Sequence, residues 1–375
     1  MNATDTAAHR ARAALGAASE DRGLHARRSA AEGRPVVGYV GADVPVELIT
    51  AAGALPVRLA GDPGRDTALA RRYLDGAVDP QVVSVLAAIL APGDRDPRPD
   101  LVVISHDCDA SVQLFYTLRE LRRIGRETFP PVHFVDILHL PGDATRAYNL
   151  GRLRRFADQL AAWRGRAISA AELEQAVADH NAARAARRQL ARHRAARLPG
   201  AEALRWYAAQ TAMPPRLYAR TLADALSGGT AAPAGRPLFV SGSTHDVADV
   251  YRALEHNGWH VVGDSHDWGD GGNQPAVAVP TLSGLADHYT RQALSTAARS
   301  ARRATELVRD RVRETGAGYV LCYCRRHDDA HRLDQPAQAA AAGVPAALLR
   351  DQPYGSVDLA DLERQTGQRS AGVAP

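Results

Sequence analysis

Residues 37–58 read Val37-Gly-Tyr-Val-Gly-Ala-Asp-Val-Pro-Val-Glu-Leu-Ile-Thr-Ala-Ala-Gly-Ala-Leu-Pro-Val-Arg58. An apolar run ends at Gly41, Pro45 opens a helical stretch, and Gly53 closes it ahead of a second apolar run at Pro56-Val-Arg-Leu59. Pro in the first helical turn and Gly just past the last match the usual asymmetry of helix termini. The stretch is therefore a strand–helix–strand unit. Strands alternating with helices at this spacing build a parallel sheet covered on both faces.

The alternation continues with a helix across Pro80 to Leu90, a strand at Leu101–Ile104, a helix from Ser111 to Glu120 and a strand at Val132–Ile137. From Ala144 to Leu226 it gives way to long Ala-, Leu- and Arg-rich helices. Ser169 followed by Glu172 marks one start as an N-cap with a capping carboxylate. The arginine-dense pieces Asn181–Arg188 and Arg192–Arg197 read as solvated helix faces. A second alternating block has strands at Pro237–Ser241, His260–Gly263, Gly318–Tyr323 and Ala346–Arg350, with helices near Asp246–Asn257, Leu282–Thr315 and Asp334–Ala342. The expectation is an α/β protein with two Rossmann/flavodoxin-like parallel-sheet domains joined by a helical segment. Its parts are an N-terminal helical segment (1–33), a first α/β domain (34–143), a helical segment (144–228), a linker (229–235) and a second α/β domain (236–371).

With 375 residues, 45% of them hydrophobic and 23% charged, the chain is an ordinary folded protein long enough for two domains. No segment approaches the roughly 20 uninterrupted apolar residues of a membrane span, and residues 1–31 lack a signal-type apolar stretch. A cytoplasmic location without membrane contact is the expectation. All 46 basic residues are arginine, spread along the chain, which reads as genome composition. No nucleic-acid-binding motif accompanies the net charge of +4, so no nucleic-acid partner is expected.

Three cysteines stand at or just after apolar runs: Cys108 behind Leu101–Ile104, and Cys322 and Cys324 in the run from Tyr319. Loops after such strands hold ligands and metals in open α/β sheets. An odd number of cysteines with the tight Cys322-Tyr-Cys324 spacing points to reduced thiols or metal ligands rather than a disulfide framework. Cys108 precedes a helix, where exposed amides and the helix dipole favour a thiolate. In Cys322-Tyr-Cys-Arg-Arg-His-Asp-Asp-Ala-His331, two thiolates and the imidazoles of His327 and His331, one helical turn apart, form a possible zinc set. His245-Asp246 and His266-Asp267 follow strands and are candidates to line one cleft. The free amides of Gly41-Ala-Asp43 are a candidate anion seat.

Residues 37–58 also resemble the opening of the 2-hydroxyacyl-CoA dehydratase D-component family, which includes benzoyl-CoA reductase subunits. Further matches follow in order: Cys108-Asp109; Val132-His-Phe-Val-Asp-Ile137; residues 165–184; Val240-Ser-Gly-Ser243; His260 to Gly269; and Asp329-Ala-His-Arg-Leu-Asp-Gln-Pro336 leading to Gly343-Val-Pro345. The resemblance spans roughly residues 30–355. It implies a two-domain α/β subunit paired with a related subunit, each cradling a [4Fe-4S] cluster beside an acyl-CoA thioester. It also implies an ATP-dependent iron-sulfur activator that supplies one electron, so that the thioester is dehydrated or reduced through a ketyl radical. By family position Glu47 is a candidate for substrate or cluster polarity, although a first-turn carboxylate serves a helix dipole equally well. Glu47 and His266 are the candidate catalytic residues.

Family subunits that hold a cluster contribute three cysteines, and Cys108 matches one. No cysteine stands between Asp109 and Leu321, and Asp328 occupies the place before Asp329-Ala-His where the last ligand belongs. Cys322 and Cys324 lie just upstream and, two apart on a strand, face the same way. Three readings stay open. The chain is a lyase subunit with iron held by Cys108, Cys322 and Cys324, with His327, Asp328 and His331 as further metal candidates. Alternatively it is a cluster-poor, non-catalytic partner subunit, or it carries a zinc site at Cys322, Cys324, His327 and His331.

Overall fold

The computed structural model describes residues 3–74, 76–228 and 233–367. Helices α1 (Ala3–Glu20) and α2 (Leu24–Ala31) precede β1 (Val36–Val40), α3 (Val46–Ala51), β2 (Leu55–Arg58) and α4 (Ala68–Arg71). Then come α5 (Pro80–Leu90), β3 (Leu101–Ser105), α6 (Asp109–Arg123) and β4 (Val132–Val135). Four helices follow: α7 (Asp143–Arg164), α8 (Ala170–Arg197), α9 (Gly200–Gln210) and α10 (Pro215–Ser227). The remainder is β5 (Arg236–Gly242), α11 (Asp249–His256), β6 (Trp259–Asp264), α12 (Leu282–Arg291) and α13 (Ala301–Thr315), then β7 (Tyr319–Arg325), α14 (Ala330–Ala342), β8 (Ala346–Gln352) and α15 (Leu359–Thr366). Residues 229–232 of the expected linker and 368–371 of the expected second domain lie outside the described residues.

The two sheets have the orders β2-β1-β3-β4 and β6-β5-β7-β8, and every strand pairing is parallel. Each is a Rossmann-like sheet with helices on both faces. Val37, Tyr39 and Val103 pack toward α3, α7 and α8, whereas Val40, Val102 and Ile104 pack toward α5 and α6. In the second sheet Val240, Leu321 and Tyr323 face α9 and α11, and Phe239 and Val320 face α13 and α14. Burial on both faces explains the near-continuous apolar strands that were legible in the sequence. The free edge of β8 is capped by Gln365, whose amide accepts from Leu348 N at 2.8 Å and donates to Leu348 O at 2.8 Å.

The helical segment is built around Leu15, Leu190, Trp206, Tyr207, Tyr218 and Leu222, where α1, α8, α9 and α10 meet. Ser169 and Glu172 form the expected capping box at the start of α8. The solvated-face reading of its arginines is overturned at three positions. Arg184, Arg187 and Arg194 are buried along one face of α8, because Glu47 of α3, the Gly269 carbonyl and Asp264 at the end of β6 meet them there. The stretch 282–315 is also two helices rather than one. Ser300 caps α13 by accepting from Arg303 N, while the Arg299 guanidinium turns back onto the carbonyls of Ala293 (3.0 Å), Leu294 (2.7 Å) and Gly271 (2.7 Å). These bonds offset the helical hydrogen bonds lost across 292–300.

Candidate functional site

In sheets of this order the strand sequence reverses between β1 and β3 and again between β5 and β7, and ligands bind at the carboxyl ends of such strands. A cavity of about 270 Å³ joins the two reversal points. From the first sheet come Gly41, Arg58, Asp107 and Cys108; from the second come Thr244, Asp267, Arg325, His327 and Asp328. Gly41 has φ +97°, and a Cβ there would drive into Ser105 and Asp107. Gly242 holds the corresponding place in the second domain, with φ +101° and no room beside Tyr323 O. Only glycine adopts this conformation at such a close approach without strain.

Charges in the cavity are fixed by neighbours. Arg58 is ion-paired with Asp267 and lies 4.3 Å from the centre of the Trp268 ring. Arg325 binds both oxygens of Asp79, at 2.8 and 2.6 Å, together with Gln81 and the Thr244 carbonyl. Asp107 accepts from Ala42 N at 2.8 Å and from Ser111 Oγ at 2.8 Å. The anion seat expected at Gly41-Ala-Asp43 is thus met by a carboxylate of the chain itself at Ala42. Burial, with Asp43 adding to it, pushes the Asp107 pKa up to about 6. Asp107 is a cavity carboxylate that the sequence alone did not single out beside Cys108.

The N-cap residue of α6 is Cys108, with its sulfur 3.3 Å from Ser111 Oγ. Against the thiolate expected at a helix N-terminus, burial first and then the Asp107 charge push the thiol well above its ordinary range. Cys322 and Cys324 are buried side by side on the α14 face of β7, with sulfurs 3.9 Å apart, and neither lines the cavity. A proton shared between them lowers Cys322 and raises Cys324. His331 is buried against Asp328 at 3.4 Å, whereas His327 is exposed, in a left-handed conformation with φ 65°. Non-glycine residues seldom take that conformation outside functional or tightly constrained turns.

Glu47 is fully buried away from the cavity. It is ion-paired with Arg184 and accepts from Tyr289 OH at 2.8 Å. Burial works to raise its pKa, but Arg184 and His180 outweigh burial and hold it at about 2. His266 is also buried behind the cavity wall, with Nε2 2.9 Å from Tyr251 OH and Nδ1 without a hydrogen-bond partner among the described residues. His245 packs 5.3 Å from it, ring to ring, and Asp246 is used in ties to Gly61 N (2.7 Å) and Tyr354 OH (2.9 Å). Of the two His-Asp pairs, Asp267 alone reaches the cavity.

Comparison with family models matches residues 42–350 to the description 2-hydroxyglutaryl-CoA dehydratase, D-component. The chain belongs to that family. Comparison with curated protein sequences finds no match. Membership implies a partner subunit in a dehydratase system, and no helix among the described residues is long and apolar enough to cross a membrane. A [4Fe-4S] cluster is held by thiolates converging on one compact core. This member presents one cysteine to its cavity and holds the other two against each other outside the walls. Among the described residues no three His, Cys, Asp or Glu side chains come together as a metal site. The donors of this chain alone do not fit such a cluster.

Proposed function

We propose that this chain is the thioester-binding subunit of a 2-hydroxyacyl-CoA dehydratase-type enzyme, and that a related subunit, fed by an ATP-dependent iron-sulfur activator, carries the one-electron chemistry. The carrying observation is a cavity that joins both strand-reversal points yet exposes a single cysteine. What the chain contributes is a fixed setting for the reacting acyl group. Arg58 and Arg325 place N–H donors beside it with no reorganisation needed, since both guanidinium groups are already held by Asp267 and Asp79. The neutral Cys108 thiol adds a weak donor. Asp107, with a pKa near neutrality, is suited to giving or taking a proton as the hydroxyl leaves and the neighbouring hydrogen is lost.

Anaerobic purification of the full chain alone, and together with its partner subunit, tests this reading through iron, sulfide and zinc content and acyl-CoA binding. The expected result is a metal-free chain that binds acyl-CoA, with activity only in the complex. Four iron and four sulfide bound per isolated chain would sink the division of labour. One zinc per chain, lost on Cys322→Ser, would favour the zinc reading instead.

A further inference from the structure

A second, larger hollow of about 940 Å³ opens between the domains. Its first-domain wall sets Ile137, Leu138, Leu140 and Pro141 beside His106 and His139, with Leu140 64% exposed. The opposite wall comes from α12, α13 and the segment between them and is strongly cationic. Arg146, Arg291, Arg299, Arg302 and Arg303 line the hollow against only Asp143 and Asp287.

Part of that charge is not neutralised. Arg146 pairs with Asp287 at 2.6 Å and Arg299 is engaged by backbone carbonyls. Arg302 meets only the exposed Glu306, at 3.2 Å, and Arg291 and Arg303 form no ion pair among the described residues. Arg291 and Arg303, with Arg302 held only by an exposed surface pair, stand beside an apolar shelf and suit a ligand whose phosphates adjoin a flat, weakly polar ring, because guanidinium binds phosphate bidentately.

This hollow adjoins the Cys108 cavity, the two being lined by consecutive residues of the same two segments. His106 lines the larger one and Asp107 and Cys108 the smaller; Ser295–Ala297 line the smaller, and Ala298, Arg299, Ser300, Arg302 and Arg303 the larger. The partition is the segment between α12 and α13, fastened by Arg299 to Ser265 O and Gly271 O. The segment borders both spaces, so a ligand long enough to cross it would reach from the arginines to Cys108.

We infer that Arg291, Arg302 and Arg303 seat the phosphate-bearing nucleotide head of the acyl-CoA whose thioester end occupies the Cys108 cavity. This rests on the thioester reading above and adds the location of the head group. Calorimetric titration of the full chain with CoA, dephospho-CoA, pantetheine and ATP provides the test, on the parent chain and on Arg302→Ala/Arg303→Ala, two exposed positions whose loss leaves the core intact. Loss of charge-assisted bonds to phosphate should weaken CoA at least about tenfold, leave pantetheine unchanged and flatten the salt dependence of CoA binding. Unchanged CoA affinity in the double variant would place the head group elsewhere while leaving the thioester reading intact. ATP binding as tightly as CoA would reduce the hollow to a general anion site and overturn the inference. Failure of the parent chain to bind CoA would overturn the inference and the thioester reading together.

Discussion

Arg325, the last residue of the central strand β7, grips both carboxylate oxygens of Asp79 in the other domain, with Nε–Oδ1 2.8 Å and Nη2–Oδ2 2.6 Å. Asp79 also caps α5 by accepting from Gln81 N at 3.0 Å. One carboxylate therefore anchors a helix of the first sheet and the reversal point of the second. Removing one partner of a buried pair costs about 3–5 kcal/mol because the other charge stays buried. Arg325→Ala should destabilise by that order in urea unfolding followed by circular dichroism, and Asp79→Asn, which keeps the cap, by less. Simple additivity of the two changes would show that the pair is not coupled.

Glu47 and Arg184 form the second critical ion pair, between α3 and α8. Arg184→Leu should cost about 3–5 kcal/mol by stranding the Glu47 carboxylate. Glu47→Gln, which can still accept from Tyr289, should cost less. If both single variants are as stable as the parent in denaturant, the pair contributes nothing to folding.

Acid should weaken the fold from near pH 6.5 downward. His180 is buried against Thr50 at 2.9 Å, and burial lowers its pKa from 6.5 to about 4. The unfolded chain therefore takes up this proton first, so the stability from neutral His180 is complete above 6.5 and is lost as pH falls toward 4. The loss is a few kcal/mol. His245 and His266 are lowered by burial as well and act in the same direction. Glu47, held at about 2 against 4.5, adds stability above 4.5 that disappears toward pH 2. Urea midpoints at pH 7, 6 and 5 should fall in that order, with a shallower slope in His180→Gln. A flat profile over this range would contradict the assignment.

Thiol chemistry should separate the cysteines. Cys322 and Cys324 are inaccessible in the folded chain and should react with a disulfide reagent only after unfolding. Cys108 borders the cavity but carries little thiolate, so at pH 7.5 it should label more slowly than a free cysteine. Rapid labelling of Cys108 would mean that its thiol is activated after all.

Asp107 should set the acidic limb of activity in the assembled enzyme. Its pKa of about 6 predicts a pH–rate limb near that value, removed in Asp107→Asn along with most of the turnover. A limb that persists unchanged in the variant would assign the titration to another group.

The strands, the helix starts and the repeated α/β blocks were legible in the sequence because each depends on neighbours along the chain: apolar runs buried on both faces, Pro45 and Gly53 around one helix, Ser169 with Glu172 at another. The family was legible for the same reason, as an ordered series of local motifs. The state of the site was not. Whether Cys108 is a thiolate depends on burial and on Asp107, which lies under the Ala42 amide of a different strand's loop. Whether Arg184, Arg187 and Arg194 are solvated depends on Glu47, Gly269 and Asp264, which come from other parts of the chain. The break at 292–300 is set by carbonyls that Arg299 reaches only in the folded chain. Charge and solvation energies depend on distance through space, so tertiary structure alone decided which thiol, carboxylate and guanidinium groups share a cavity.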